Sequence, residues 1–470
     1  MILCFGYDCK VVRFILLLSI SDWNQFRGPD ATGLAAERAD PPIEFGPQSN
    51  VLWKTALPPG KSSPVFAGDR IFLTAHQGEE LLTICLNRRT GKELWRRAIP
   101  RPRKEARHKL NDPAAPTPVT DGRNVYSFFA DYGLVAYSAA GRELWRKPMG
   151  PFVSLQGVSA SPALIGKRLF VVCDQTRDSF IEAIDAPTGR TLWRQDRPPA
   201  PTGVYSSPSR FVRNGEEQLL VQGVFDLIAY QPATGEKLWW VNGLPGQPKS
   251  SAFAVDGVIY MAAKGGVENN LTIVPYAQAR SEYDKDGDGR LTQAEMPVAL
   301  LKGLFRHLDS SGDGSLDESE WGRVKDFFAA KSTAAAIRPS GHGDLTSNGA
   351  VQWRYERNIP DVPTPLVYRG VMYLVQSGGM MTTLDAATGA VKKQGRLANA
   401  LGDYYASPIA AAGRVYAVSQ AGRISVLKTD GEWDVVATND LGEECYATPA
   451  PLGKTLYVRT ASSLYAFQRR

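Results

Sequence analysis

Two stretches of the sequence carry oxygen donors at a spacing that can do chemistry. The first is Asp284-Lys285-Asp286-Gly287-Asp288-Gly289-Arg290-Leu291-Thr292-Gln293-Ala294-Glu295, and the second is Asp309-Ser310-Ser311-Gly312-Asp313-Gly314-Ser315-Leu316-Asp317-Glu318-Ser319-Glu320. Both fit a twelve-residue loop that wraps a hard divalent cation, for which Ca²⁺ wants six to eight oxygens at about 2.3–2.6 Å. In the first loop Asp284, Asp286 and Asp288 present short carboxylates, Arg290 gives a backbone carbonyl, and Glu295 closes the shell with both oxygens. In the second, Asp309, Ser311, Asp313, Ser315 (through its carbonyl) and Glu320 take those parts. Thr292 and Asp317 stand at the ninth position, which often acts through water.

These are the positions of the EF-hand template, and the two matches resemble an EF-hand pair. Leu301, Leu304, Phe305 and Leu308 form an i, i+3, i+4, i+7 stripe between the loops, and Trp321, Val324, Phe327 and Phe328 follow the second, so short amphipathic helices are predicted there. The resemblance implies a short β contact between the loops at Leu291 and Leu316. Only thirteen residues separate Glu295 from Asp309, which predicts a shared helix bent near Gly303. Clustered carboxylates repel without metal, so calcium is expected to order this part of the chain and stabilise it.

The elements that must carry these loops are set by a repeat. Gly91-Lys92-Glu93-Leu94-Trp95, Gly141-Arg142-Glu143-Leu144-Trp145, Gly189-Arg190-Thr191-Leu192-Trp193 and Gly235-Glu236-Lys237-Leu238-Trp239 place tryptophans 50, 48 and 46 residues apart. Weaker copies run from Gly349 to Trp353 and from Gly389 to Lys393. A Ser/Thr-Pro pair opens most units, at Ser63, Thr117, Ser161, Ser207, Thr364, Ser407 and Thr448, and the fifth opens at Ser250-Ser251. Apolar β-branched runs and Asp-x-x-Thr-Gly turns fill each unit. A period near 48 residues fits a four-stranded propeller blade. The fold class is therefore all-β, an eight-bladed β-propeller (seven as the alternative) with a small α-helical insertion. The last unit lacks a closing strand, and Val51-Leu52-Trp53-Lys54 is expected to supply it, which removes two free sheet edges.

Ala183-Ile184-Asp185-Ala186-Pro187-Thr188-Gly189-Arg190-Thr191-Leu192-Trp193 resembles the tryptophan-docking phrase of quinoprotein (PQQ-like) propeller repeats, as Asp22 to Pro29 resembles their opening segment. That resemblance implies indoles packed between adjacent blades. The stretch from Trp239 to Trp353 is too long for one period, so the domains divide as 1–21, a signal peptide; 22–275, the first part of the propeller; 276–335, the calcium-loop insertion; and 336–470, the part that closes the ring.

Composition sets the remaining limits. A 43% apolar and 22% charged make-up excludes wholesale disorder. A net charge of +6 without basic stretches interleaved with aromatics gives no case for nucleic acid. Lys10 and Arg13 precede the run Phe14-Ile15-Leu16-Leu17-Leu18-Ser19-Ile20, which reads as an export signal and is too short to span a bilayer. A periplasmic or secreted protein, not an integral membrane one, is expected. Cys85, Cys173 and Cys445 are expected as buried apolar residues rather than a disulfide framework.

The favoured reading is a non-catalytic binding scaffold with an unknown protein or polysaccharide partner. The alternative is a PQQ-dependent dehydrogenase. That family's enzymes stack PQQ on a vicinal disulfide, and no adjacent cysteines exist here, so PQQ is possible but unsupported. The run Arg96-Arg97, Arg101, Arg103, Lys104, Arg107, His108, Lys109 could steer an anionic partner, although such runs are more often surface loops.

Overall fold

The structure is a computed structural model that describes residues 23–266, 271–429 and 432–469. The expected signal peptide lies outside the described residues. Eight sheets follow one another along the chain, seven of four strands and one of five. Blade 3 shows why the sequence folds this way. Its strands are Ala163–Ile165, Arg168–Cys173, Phe180–Asp185 and Thr191–Asp196, paired antiparallel in order. Leu169 to Val172 are buried whichever way they point, because a neighbouring blade covers each face. Wholly apolar strands result. The fourth strand is at the rim and alternates exposed with half-buried positions.

The Asp-x-x-Thr-Gly turn forms as its residues require. Gly189 N–H donates to the Asp185 carbonyl at 2.8 Å, and Gly189 has φ 74°. Its lack of a side chain has a second use: a Cβ there would lie 2.6 Å from the Trp145 indole of the preceding blade. That indole donates to the Ala186 carbonyl at 2.8 Å. Trp53, Trp95, Trp193 and Trp353 repeat the bond to Arg88, Ala139, Pro232 and Ala386 at 2.9–3.1 Å. Each glycine of one blade is thus the floor for the tryptophan of the blade before. In Gly189→Ala, strain and overlap act together, and a loss of about 2 kcal/mol or more in urea unfolding is expected.

Three blades depart from the pattern; in blade 7 Ala437 stands in the tryptophan's place, opposite Val426 beside the bulge. Blade 4 carries Trp239, fully buried, whose indole donates to Gln218 within its own sheet at 2.9 Å. There the next blade's hairpin has grown outward, and Gly343–Asp344 pairs in parallel with Trp239 and Trp240. In blade 6 Lys393 replaces tryptophan; its ammonium lies 4.8 Å from the Trp433 ring centroid and donates to the Trp433 carbonyl at 2.7 Å.

Ring closure follows the sequence reading. Val51–Ala56 pairs with Ser463–Gln468 of blade 8, and Trp53 then docks on blade 1. The blade count is fixed at the axis. Backbone N–H of Ser63 donates to the Thr117 hydroxyl, Thr117 to Ser161, Ser161 to Ser207, Ser207 to Ser251, Ser251 to Thr364, Thr364 to Ser407, Ser407 to Thr448, and Thr448 back to Ser63, all at 2.8–3.0 Å. Eight members close the circle.

The segment after residue 22 crosses the axis beneath this circle, against the innermost strands. Phe66 N–H donates to Trp23 and Thr120 N–H to Asn24. Arg27, fully buried, spends all five of its donors on carbonyls of Ala31, Thr32, Thr364, Pro365 and Pro408, at 2.7–3.3 Å.

One buried acid gives the fold a pH dependence. Burial, only partly offset by Arg197, pushes Asp226 up from 3.8 to about 6. Its folded value is raised, so its stabilising contribution is complete below about 3.8 and is lost as pH rises through about 6. Asp226→Asn is expected to gain about 1 kcal/mol at pH 7 and to flatten the stability profile between pH 4 and 7, read by urea unfolding.

Candidate functional site

The insertion leaves blade 5 between its second strand, Val258–Ala263, and its third, Thr333–Ile337. Thr333 already belongs to the sheet, so the blade resumes three residues inside the 276–335 span. Three helices form: α1 (Tyr276–Tyr283), α2 (Ala299–Leu308) and α3 (Glu318–Ala329). Leu301, Phe305 and Leu308 of α2 and Trp321 and Val324 of α3 pack with Leu291 and Leu316 in one small core. The expected bend near Gly303 does not occur. The chain breaks earlier, at Pro297, which forces Met296 into an extended conformation (φ −59°, ψ 130°) and leaves the helix after the first loop as the single 3₁₀ turn Gln293–Glu295.

The two loops share one internal bonding scheme. Asp284 accepts N–H bonds from Gly287 at 2.8 Å and Gly289 at 2.9 Å; Asp309 accepts them from Gly312 at 2.5 Å and Gly314 at 3.1 Å. Asp288 accepts from Arg290 N–H at 2.8 Å, and Asp313 from Ser315 N–H at 2.9 Å. Glu295 is held by the N–H groups of Lys285 and Thr292, both at 2.9 Å, and Glu320 by those of Ser311 at 2.8 Å and Asp317 at 3.1 Å. Gly289 and Gly314, at the sixth positions, have φ 84° and 88°, the left-handed turn that the wrap needs. Between the loops Leu291 pairs with Leu316 and Thr292 with Ser315 as a two-stranded antiparallel ribbon.

Asp284, Asp286 and Glu295 each offer an oxygen, and these atoms lie within 4.8 Å of one another. This is the only such group of three among the described residues, so Asp288 and the second loop's Asp309, Asp313 and Glu320 are less tightly gathered. Ser311 stands where the first loop has Asp286, and Asp317 where it has Thr292, so each loop has four carboxylates at ligand positions, differently placed. The Thr292 N–H, with that of Lys285, holds the Glu295 carboxyl below its ordinary range.

Sequence reading missed how the insertion rests on the ring. Arg177 of blade 3 donates to the Asp309 carbonyl at 3.1 Å, and Thr176 meets His307 Nδ1 at 3.2 Å. No local signal marks such long-range contacts. The basic run also reads differently in three dimensions. Arg101 binds the buried Asp131 at 2.5 Å, Arg107 binds it as well, Arg103 takes Glu105 at 2.5 Å, and Lys104 takes Glu79 at 2.6 Å. These charges are largely answered within the chain, so the run fastens a loop.

Above the hydroxyl circle the axis opens as a funnel of about 390 Å³ with Phe26 among its lining residues. Lys61, Lys249, Asp361, Tyr405 and Tyr446 face it.

The family profile described as outer membrane protein assembly factor BamB matches residues 46–149, 81–258 and 344–470, together more than two thirds of the chain. The chain belongs to this family. BamB of Yersinia pestis is 23% identical over 312 residues, covering 64% of this chain and 71% of the relative. BamB of Alkalilimnicola ehrlichii is 28% identical over 140 residues, 29% of this chain and a third (33%) of that relative. Among solved structures, BamB from Moraxella catarrhalis superposes with TM-score 0.56 at 11% identity, covering 89% of this chain and 99% of that one. A europium-containing methanol dehydrogenase gives 0.59 at 9% identity, covering 96% and 98%. At these identities the likenesses show the propeller fold alone.

A quinone cofactor in the funnel would need a carboxylate base and a metal beside the quinone. Asp361, the carboxylate facing the funnel, is held by Lys249 at 2.8 Å. The one gathered carboxylate group among the described residues is on the insertion and contributes no residue to the funnel lining. Cys85, Cys173 and Cys445 are free, buried and in separate blades; burial pushes the Cys85 and Cys445 thiols up to about 12. These residues do not fit that cofactor's chemistry.

Proposed function

We infer that this chain is an extracytoplasmic, non-catalytic scaffold of the BamB family whose EF-hand pair binds calcium. The observation that carries the calcium reading is the gathering of Asp284, Asp286 and Glu295 oxygens within 4.8 Å, on a loop that is the twin in bonding of a second one. Calcium held there stiffens the insertion and, through Arg177 on the Asp309 carbonyl, fixes it to blade 3. The scaffold reading is supported by the relatives, which are named as outer membrane protein assembly factors. No described helix is long and apolar enough to cross a membrane. The partner is a protein of the envelope, met by the propeller's loops and the calcium-ordered insertion.

Crosslinking of the tagged chain in an envelope fraction, with and without chelator, tests this. Recovery of an outer-membrane assembly component, reduced by chelator, is expected. PQQ-dependent dye reduction with alcohols or sugars, without any such partner, would move the protein to the dehydrogenases.

A further inference from the structure

Charges of both signs border the axial funnel: Asp112 and Glu444 lie near Lys61, and Asp403 near Tyr405 and Tyr446. Two guanidinium groups lie under and beside the funnel, Arg27 at 0% exposed and Arg459 at 1%. Arg27 donates only to carbonyls. Arg459 donates to the Ser62 carbonyl and hydroxyl at 3.1 and 2.7 Å and to the Thr74 carbonyl at 2.8 Å. Burial pushes Arg27 down to about 9; it pushes Arg459 down to about 10, with Asp112 opposing the shift. Both stay cationic at neutral pH, in surroundings where a charge is felt over a long distance. One layer up, Thr364 and Ser63 of the hydroxyl circle adjoin these two arginines in the chain or by its carbonyl.

The donors above them point the same way. Each circle hydroxyl accepts a backbone N–H, which leaves its own proton to donate. Among the described residues none of the eight donates to a protein acceptor, and all eight line the funnel. Lys61 has no carboxylate at ion-pair distance among the described residues; its ammonium donates to the Leu110 carbonyl at 2.5 Å and lies 3.5 Å from the Tyr446 ring centroid. Tyr446 in turn stacks on Tyr405, centroids 5.6 Å apart, which gives the funnel one apolar wall. Eight free hydroxyl protons, an ammonium outside any ion pair and a volume in the range of small-molecule sites describe a pocket for an acceptor-rich anion.

We propose that the funnel binds a small organic dicarboxylate, one carboxylate on the hydroxyl circle and the other on Lys61. An ionised carboxylate is acceptor-only, so it matches hydroxyl protons and an ammonium without leaving a donor unanswered. The site does not depend on the calcium loops.

Succinate is the probe, titrated calorimetrically into the full chain in metal-free buffer of low salt. Saturable binding of one succinate per chain is expected, with succinamide, the uncharged analogue of the same shape, and sulfate both markedly weaker. Lys61→Met, which keeps the stem against Tyr446, is expected to weaken succinate roughly tenfold to a hundredfold. Lys61→Gln serves if the first variant unfolds on heating earlier than wild type. Glu295→Gln should bind succinate like wild type, which separates this site from the calcium reading. Absence of saturable succinate binding, equal binding of succinamide or sulfate, or an unchanged affinity in the Lys61 variants overturns the proposal.

Discussion

Glu295→Gln is expected to weaken calcium binding at the first loop by roughly a hundredfold and to reduce the calorimetric stoichiometry at submillimolar calcium. Glutamine keeps the length of the side chain and one acceptor oxygen, but Lys285 N–H binds Oε1 and Thr292 N–H binds Oε2, so one of these two bonds is lost with the charge. It removes the bidentate closure, and the loss of calcium affinity is read by titration separately from any loss of metal-free stability. Glu320→Gln should do the same at the second loop but from a weaker start, because the carboxylates there are less tightly gathered than Asp284, Asp286 and Glu295. The pH dependence follows from the same atoms. Glu295 is held below its ordinary range by the Thr292 N–H first of all, so its contribution is complete above that range and is lost only as pH falls through the lowered value. Calcium-induced thermal stabilisation should therefore persist into mild acid. A Glu295→Gln protein with wild-type calcium affinity would remove Glu295 from the site.

The largest effect on stability is expected at Arg27. Arg27→Met takes away five donors and leaves the buried carbonyls of Ala31, Thr364, Pro365 and Pro408, and the half-buried one of Thr32, without them. Those carbonyls belong to the axis-crossing segment and to blades 6 and 7, so the change opens the base of the ring. A loss of about 3 kcal/mol or more in urea unfolding is predicted. Arg27→Lys should recover little, since one ammonium cannot span acceptors set for a planar fork. A near-wild-type unfolding midpoint for Arg27→Met would show that the segment does not brace the ring.

Most of the ring was legible because its rules are local. A glycine four residues before a tryptophan marks five blades and a Ser/Thr before a proline marks seven, and the lent strand at Val51–Ala56 followed from counting them. Where Trp239 and Lys393 break the rule, the structure answers with the added Gly343–Asp344 strand and with the cation over Trp433. Of the insertion, the helices were legible but not their detail. Its helices follow their apolar stripes, yet Pro297 sets the break that spacing had placed at Gly303, and Thr333–Ile337 is a strand although Ala334, Ala335 and Ala336 carry no β preference. Burial on both faces decides it. Contacts across the ring were not legible at all. Arg27 on blades 6 and 7, Arg177 on Asp309 and Arg107 on Asp131 join residues whose closeness only the closed fold creates. The same limit explains the basic run, which sequence alone shows as free charge.

Equilibrium calcium titration of the intact, metal-stripped chain is the most direct test of the central claim. Two calcium ions per chain, with the tighter one lost in Glu295→Gln and the protein melting higher as they bind, is the predicted result. No uptake at millimolar calcium, or uptake that both Glu295→Gln and Glu320→Gln leave intact, contradicts it.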